Sequence, residues 1–129
     1  MAQSLNTTVD LTMSGNSYLG IGSYGKIMVG DKAFEFYNDR NVENYIQIPW
    51  EEVDYISASV LFKGKWINRF AIFTKTNGSY SFSGKDNKKL LRAINKYIAS
   101  DKLLKSLTFT QVIVRGLKAL LPKKKSNNK

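Results

Sequence analysis

The sequence predicts a mostly β domain, a barrel or sandwich of about seven short antiparallel strands capped by a C-terminal helix. Three observations carry that reading. Apolar and polar residues alternate in short runs from Val9 to Ser83. The turn dipeptides Gly30-Asp31, Lys63-Gly64 and Asn77-Gly78 break the runs at short intervals. From Asp86 onward the apolar spacing changes to that of a helix.

Residues 1–6, at the start of the sequence, are expected to fray. Val9, Leu11 and Met13 alternate with Asp10 and Thr12, the pattern of a half-buried strand that ends at Gly15-Asn16. The stretch Tyr18 to Gly25 is too rich in glycine for a helix. Lys26–Val29 and Ala33–Tyr37 form a hairpin across Gly30-Asp31, with Phe34 and Phe36 on one face and Glu35 on the other. Asn38–Asn44 is a polar loop. Tyr45–Trp50 alternates again, and Pro49 marks a sheet edge or a strand end.

Val53–Leu61 and Trp66–Lys75 are the longest strands, turning at Lys63-Gly64. Asn77-Gly78, the dipeptide of a tight type I′ turn, leads into Ser79–Ser83. Ile67, Ala71, Phe73, Tyr80 and Phe82 are the expected core of this stretch. Asp86 is the expected N-cap, with Ser83 as a competitor. Leu90, Leu91, Ile94, Tyr97 and Ile98 then form the apolar stripe of a helix of about three to four turns. Residues 1–100 thus read as one β domain with its capping helix. Residues 101–129 read as an amphipathic basic extension: Leu103, Leu104, Leu107, Ile113, Val114, Leu117, Leu120 and Leu121 suggest a second helix. Against it stand the β-favouring run Thr108–Val114 and Gly116. Pro122 stops the helix before a disordered Lys-rich end.

Composition narrows the chemistry. The chain has 129 residues, one domain's worth, with no Cys and no His. Disulfides, thiol catalysis, Cys zinc sites and a Ser-His-Asp triad are therefore excluded. No apolar run reaches the ~18 residues of a membrane span. The N-terminus has the pattern of no signal peptide, so a cytoplasmic location is expected. The net charge of +10 is uneven: residues 101–129 hold eight bases against one acid, and the first hundred hold twelve against nine. The basic end suits a polyanion or an anionic membrane face, and it also suits mere solubility.

Four motifs stand out in the sequence. Gly20-Ile21-Gly22-Ser23-Tyr24-Gly25 spells G-x-G-x-x-G, but a strand follows it, not the helix that would receive a pyrophosphate. It reads as a bulged strand connection. Glu51, Glu52 and Asp54 are the one acidic cluster and read as a solvated turn. Trp50, Tyr55, Phe62, Trp66, Phe70 and Phe73, with Lys63, Lys65 and Arg69 among them, resemble a stacking platform for single-stranded nucleic acid. The RNA-recognition signature is absent, and aromatics on alternate strand positions usually form core, so nucleic acid is the less favoured partner. The basic tail, with Arg115, Lys118, Lys123, Lys124 and Lys125, fits a membrane surface, a partner groove or the domain itself.

The run GKIMVGDKAFEFYN, the IQIPWEEVDYI segment and INRFAIFTKTNGSYSFSGKDNKKLLRAINKYI resemble a pleckstrin-homology or GRAM-like domain over about Gly25–Ala99. The opening TTVDLTMSGNSYLGIGSYGKIMVGDKAFEFYN and the strand KGKWINRFAIFTK resemble a ManO-like family of unknown function, encoded beside mannose-family phosphotransferase transporters in low-GC Gram-positive bacteria. That resemblance implies a non-enzymatic accessory or regulatory protein of sugar uptake, with no cofactor. Its partner would be the transporter's membrane component or an anionic membrane surface. The alternative is a DNA-binding regulator of the operon. The resemblance transfers no site residue. From the residues themselves, Trp50, Lys63, Lys65, Trp66 and Arg69 form the expected exposed rim, and with Arg115, Lys118 and Lys123–Lys125 they would make one docking face.

Overall fold

The computed structural model describes residues 3–18, 23–41, 43–61 and 66–107. Among these residues eight strands form one sheet: β1 (Val9–Ser17), β2 (Ser23–Gly30), β3 (Ala33–Asn38), β4 (Tyr45–Pro49), β5 (Val53–Leu61), β6 (Trp66–Thr74), β7 (Ser79–Gly84) and β8 (Leu103–Leu107). The spatial order is β4-β3-β2-β1-β7-β6-β5-β8. All neighbours are antiparallel except β5 and β8, which run parallel. One helix, α1 (Asn87–Asn95), covers the sheet's inner side.

The sheet curls over onto itself. Phe34 of β3 lies 5.9 Å from Phe70 of β6 and 4.7 Å from Phe82 of β7, ring centre to centre. Strands so far apart in the order can meet only across a fold in the sheet. Around them Ile27, Val29, Phe36, Ile48, Ile56, Ile72, Leu90 and Ile94 complete one core. Each fully buried side chain of this size stabilises the fold by about 1.5–3 kcal/mol.

Two devices make the curl. The first is a row of glycines: Gly84 pairs with Gly15, and Gly15 with Gly25, across β7, β1 and β2. A Cβ at Gly25 would stand 2.0 Å from the Tyr37 carbonyl oxygen, and one at Gly15 2.7 Å from the Ser83 carbonyl oxygen. The second is a set of bulges, which bend a strand and raise its twist. The register slips at Asp10 in β1, at Asp54 in β5 and at Asn68 in β6.

The Asn68 bulge corrects the expected core. Strict alternation from Ile67 would put Ala71 and Phe73 inside. The extra residue reverses the phase, so Phe70 and Ile72 are buried, while Ala71 and Phe73 sit half-exposed on the outer face. Ile67 itself packs against the core, as do Tyr80 and, fully buried, Phe82.

Three further expectations change. Asn77-Gly78 belongs to a longer loop, 75–78, in which only Gly78 takes a left-handed φ, of 76°. Thr74 closes it, its amide donating to the Gly78 carbonyl at 2.8 Å. The capping helix is shorter than expected, with Asp86 as its N-cap accepting from the Lys89 amide at 3.1 Å. Where a second helix was expected from Leu103, residues 103–107 are instead β8. Here a partner strand outweighs local propensity: the ladder gives the otherwise open β5 edge its hydrogen bonds, and Leu103 covers the core beside Leu91. The rest of that expected helix, and the Lys63-Gly64 turn, lie outside the described residues.

Residues 3–8 do not fray. They cross the outer face of β4 and β3 as a strap, bonded to Gln47, Glu35 and Asp31.

Candidate docking surface

The outer face of β8, β5, β6 and β7 is set by register. Leu104, Ser57, Ala71 and Ser81 form one cross-strand row, and Tyr55, Phe73 and Ser79 form the next. Ser57, Ala71 and Ser81 are small, and larger side chains stand around them. Tyr55 and Phe73 stack at 4.5 Å with planes 10° apart at one end. Leu104 stands 46% exposed on one flank.

Trp66 and Arg69 occupy the other end. The bulge at Asn68 turns Ile67 and Phe70 inward and leaves Trp66 and Arg69 on the outside. Trp66 is 58% exposed. The Arg69 guanidinium lies 5.0 Å from the centre of the Tyr18 ring, which is itself largely exposed. Arginine over an aromatic face is held in place while its outer edge still offers donors.

The bulge is pinned from inside by Asn87, the first residue of α1. Its Nδ2 donates to the Ile67 carbonyl at 2.9 Å, to the Asn68 carbonyl at 3.2 Å and to Ser83 Oγ at 3.2 Å. Its Oδ1 accepts from the Gly84 amide at 2.7 Å. Asn87 is only 8% exposed, so these bonds are made away from competing water. The docking of α1 thereby fixes the pose of Trp66 and Arg69.

Of the expected rim, Trp66 and Arg69 are brought to this face. Trp50 is not an exposed rim residue. Its indole N–H donates to the Gly30 carbonyl at 2.9 Å, and its ring stacks on Tyr97 at 5.4 Å. Tyr97 in turn donates to Asp10 Oδ2 in β1. Trp50 therefore ties the end of β4 to the chain just after α1. Lys63, Lys65, Arg115, Lys118, Lys123, Lys124 and Lys125 lie outside the described residues, and so does the expected joining of rim and tail. Sequence reasoning missed Tyr18 and Leu104. Tyr18 carries no periodicity signal beside the glycines, and Leu104 was assigned to a helix.

Glu51 is exposed on a single 3₁₀ turn, Trp50–Glu52, and Asp54 is exposed at the β5 bulge that follows it. Ser23, Tyr24 and Gly25 of the glycine motif already belong to β2. Among the described residues, no cluster of acidic side chains could hold a metal ion, and no helix is long and apolar enough to cross a membrane.

With this geometry in view, the chain was compared with known proteins. A family model described as "Domain of unknown function (DUF956)" matches residues 1–117. No curated protein matches. Among solved structures, the C-terminal domain of an unknown protein from Leishmania infantum is 14% identical, with a TM-score of 0.60 over 70% of this chain and 83% of that one. A chain of the Spt16D Pob3N heterodimer is 10% identical, with a TM-score of 0.55 over 94% of this chain and 63% of that one. At such identities the likeness speaks for fold alone: mostly β and pleckstrin-homology-like.

Proposed function

Since the chain belongs to the DUF956 family, whose description assigns no activity, we propose from its resemblance to the ManO-like family, together with its exposed outer sheet face, that it is a non-enzymatic accessory protein of sugar uptake. It docks through the outer face of β5–β8 on the cytoplasmic side of a mannose-family phosphotransferase transporter's membrane component, and modulates it. One observation carries the docking face: Trp66, Leu104 and the Arg69–Tyr18 pair stand exposed around small residues. Exposed aromatics and Arg are the residue types that anchor protein interfaces. The transporter as partner rests on the sequence resemblance to the ManO-like family. The basic tail supplies attraction toward an anionic membrane face.

Co-purification from detergent-solubilised membranes of cells expressing the transporter tests this. Wild type is expected to be retained with the membrane component, and Trp66→Ala to lose most of that retention. A folded wild-type protein that ignores the transporter sinks the reading. Retention on protein-free anionic vesicles, unaffected by Trp66→Ala, would reduce it to membrane adsorption. A gel shift on the operon's promoter separates the DNA-binding alternative. Only sequence-specific binding that survives moderate salt would favour that alternative.

A further inference from the structure

A second surface, separate from the docking face, is already occupied by the chain itself. Residues 3–8 lie across the outer face of β4 and β3, held by hydrogen bonds from both backbone and side chains. The Gln3 carbonyl accepts from Gln47 Nε2 at 2.7 Å, and the same nitrogen reaches the Tyr37 hydroxyl at 3.0 Å. Ser4 Oγ donates to Glu35 Oε1 at 2.6 Å, and the Leu5 amide donates to Oε2 at 2.7 Å. Asn6 is read on both sides of its amide. Its Oδ1 accepts from the Lys32 and Ala33 amides at 2.8 Å each, and its Nδ2 donates to the Ala33 carbonyl and Glu35 Oε1. Asp31 takes the Thr7 and Thr8 amides at 2.9 and 3.0 Å and the Thr7 hydroxyl.

Three features mark this as a recognition site more than as a packed element. Glu35 is fully buried, and the strap supplies three of its hydrogen bonds, beside the neighbouring Tyr37 hydroxyl of β3. Gly30 leaves room for the visitor: a Cβ there would stand 2.4 Å from Asn6 Cγ. The strap buries no apolar side chain, and Leu5 points out at 43% exposure. It is therefore held by polar contacts that another segment of the same pattern can replace.

We propose that the outer face of β3 and β4 is a peptide-binding site for an extended Ser-x-Asn-Thr segment of a partner protein, with residues 3–8 as its tethered competitor. Ser and Asn are specified by Glu35 and by the Lys32–Ala33 backbone. Thr is specified by Asp31. The position between Ser and Asn is free. Tethering gives the strap an effective concentration of about millimolar, so a partner segment enters only when the strap is weakened or the partner is itself held close.

The test uses the full chain and a fluorescent peptide with the sequence of residues 3–8. Full-length Asn6→Ala, checked for native circular dichroism, is expected to bind the peptide about ten-fold or more tighter than wild type does, as loss of the tethered competitor requires. Glu35→Gln added to Asn6→Ala, or an Asn→Ala change in the peptide, is expected to abolish that binding. A folded Asn6→Ala protein that binds no better than wild type, or that binds a scrambled peptide equally, overturns the proposal. If Asn6→Ala fails to fold, hydrogen exchange on wild type decides. Excess peptide must strip protection from the chain's own Leu5, Thr7 and Thr8 amides, and unchanged protection overturns the proposal. Concentration-dependent dimers of wild type that vanish in Asn6→Ala would mean that the segment comes from a second copy, and would overturn the partner-protein source.

Discussion

At the scale of single residues, two polar side chains do what no apolar pattern announces. Asn87 joins α1 to the β6 bulge and to β7 through four contacts made under cover. Its replacement by Ala takes a hydrogen bond from the Ile67 carbonyl, from the Gly84 amide and from the Asn68 carbonyl, which keeps only Ser83 Oγ, and is expected to cost about 1–3 kcal/mol. Ser83→Ala, which removes one hydroxyl contact with each of Asn68 and Asn87, is expected to cost about 1 kcal/mol or less. Urea unfolding checks both, through the midpoint at unchanged slope. Asp31 makes a prediction in pH. Hydrogen bonds from the Thr7 side chain, then from the Thr8 amide, hold its carboxyl down from 3.8 to about 2. A depressed folded pKa contributes stability that is fully present above the unfolded value and lost as pH falls through the folded one. Thermal melts should therefore show wild type losing, between about pH 4 and pH 2, an advantage over Asp31→Asn that is constant above pH 5. A gap that does not narrow in that window would refute the role given to Asp31. Neither residue was legible beforehand. Asp31 read only as a turn former, because Thr7 and Thr8 lie 24 and 23 positions before it, and nothing marked Asn87, whose Ile67 and Asn68 partners lie 20 and 19 positions before it.

At the scale of elements, the strands were legible and their phase was not. Alternation and turn dipeptides placed β2, β3, β5, β6 and β7 close to where they lie. Alternation assumes an unbroken period of two, and one extra residue reverses every later face. Asn68 does that to β6, which is why Phe73 was expected inside and stacks on Tyr55 outside. The glycines that bend the sheet were visible as letters but not as a row, since only pairing brings Gly84, Gly15 and Gly25 together. Gly25→Ala must push a Cβ against the Tyr37 backbone and is expected to destabilise by about 1–3 kcal/mol. Gly78→Ala meets no atom within 4 Å and pays only the left-handed backbone penalty, about 1–2 kcal/mol. Chemical denaturation should rank the two in that order, and equal costs would mean that the bend tolerates a side chain. β8 was misread because five residues carry too little periodicity to separate strand from helix. Its presence makes a sharp comparison. Truncation after Leu107 keeps the β5 edge covered, whereas truncation after Lys102 bares it. The shorter chain is expected to be less stable and to self-associate on size-exclusion chromatography with light scattering, as an open edge does. Identical monomers from both truncations would remove β8 from the account of the fold.

At the scale of the whole molecule, the two forces available for docking are separable along the chain. Residues 108–129 carry six bases and no acid, while residues 1–107 hold fourteen bases and ten acids. The long-range attraction toward an anionic partner therefore belongs to the end of the chain. The exposed aromatic and apolar contact area belongs to the face around Trp66 and Leu104. The two respond differently to salt. Attraction between exposed charges is screened over about 8 Å at physiological ionic strength and weakens further as salt rises. Burial of an indole is not weakened by screening and is strengthened by excluded salts such as sulfate. Retention on solubilised membranes bearing the transporter should then have two components. Truncation after Leu107 is expected to remove the salt-sensitive part and flatten the salt profile, leaving a weaker, steady binding. Trp66→Ala is expected to lower retention by a similar factor at every salt concentration, leaving the slope unchanged. Arg69→Glu is the intermediate case. It reverses a charge on the contact face itself and breaks the Tyr18 pairing, so it should both lower retention and reduce the slope. If truncation and Trp66→Ala shift the salt profile identically, contact and attraction are not divided between face and tail, and the outer sheet face loses its claim as the anchor.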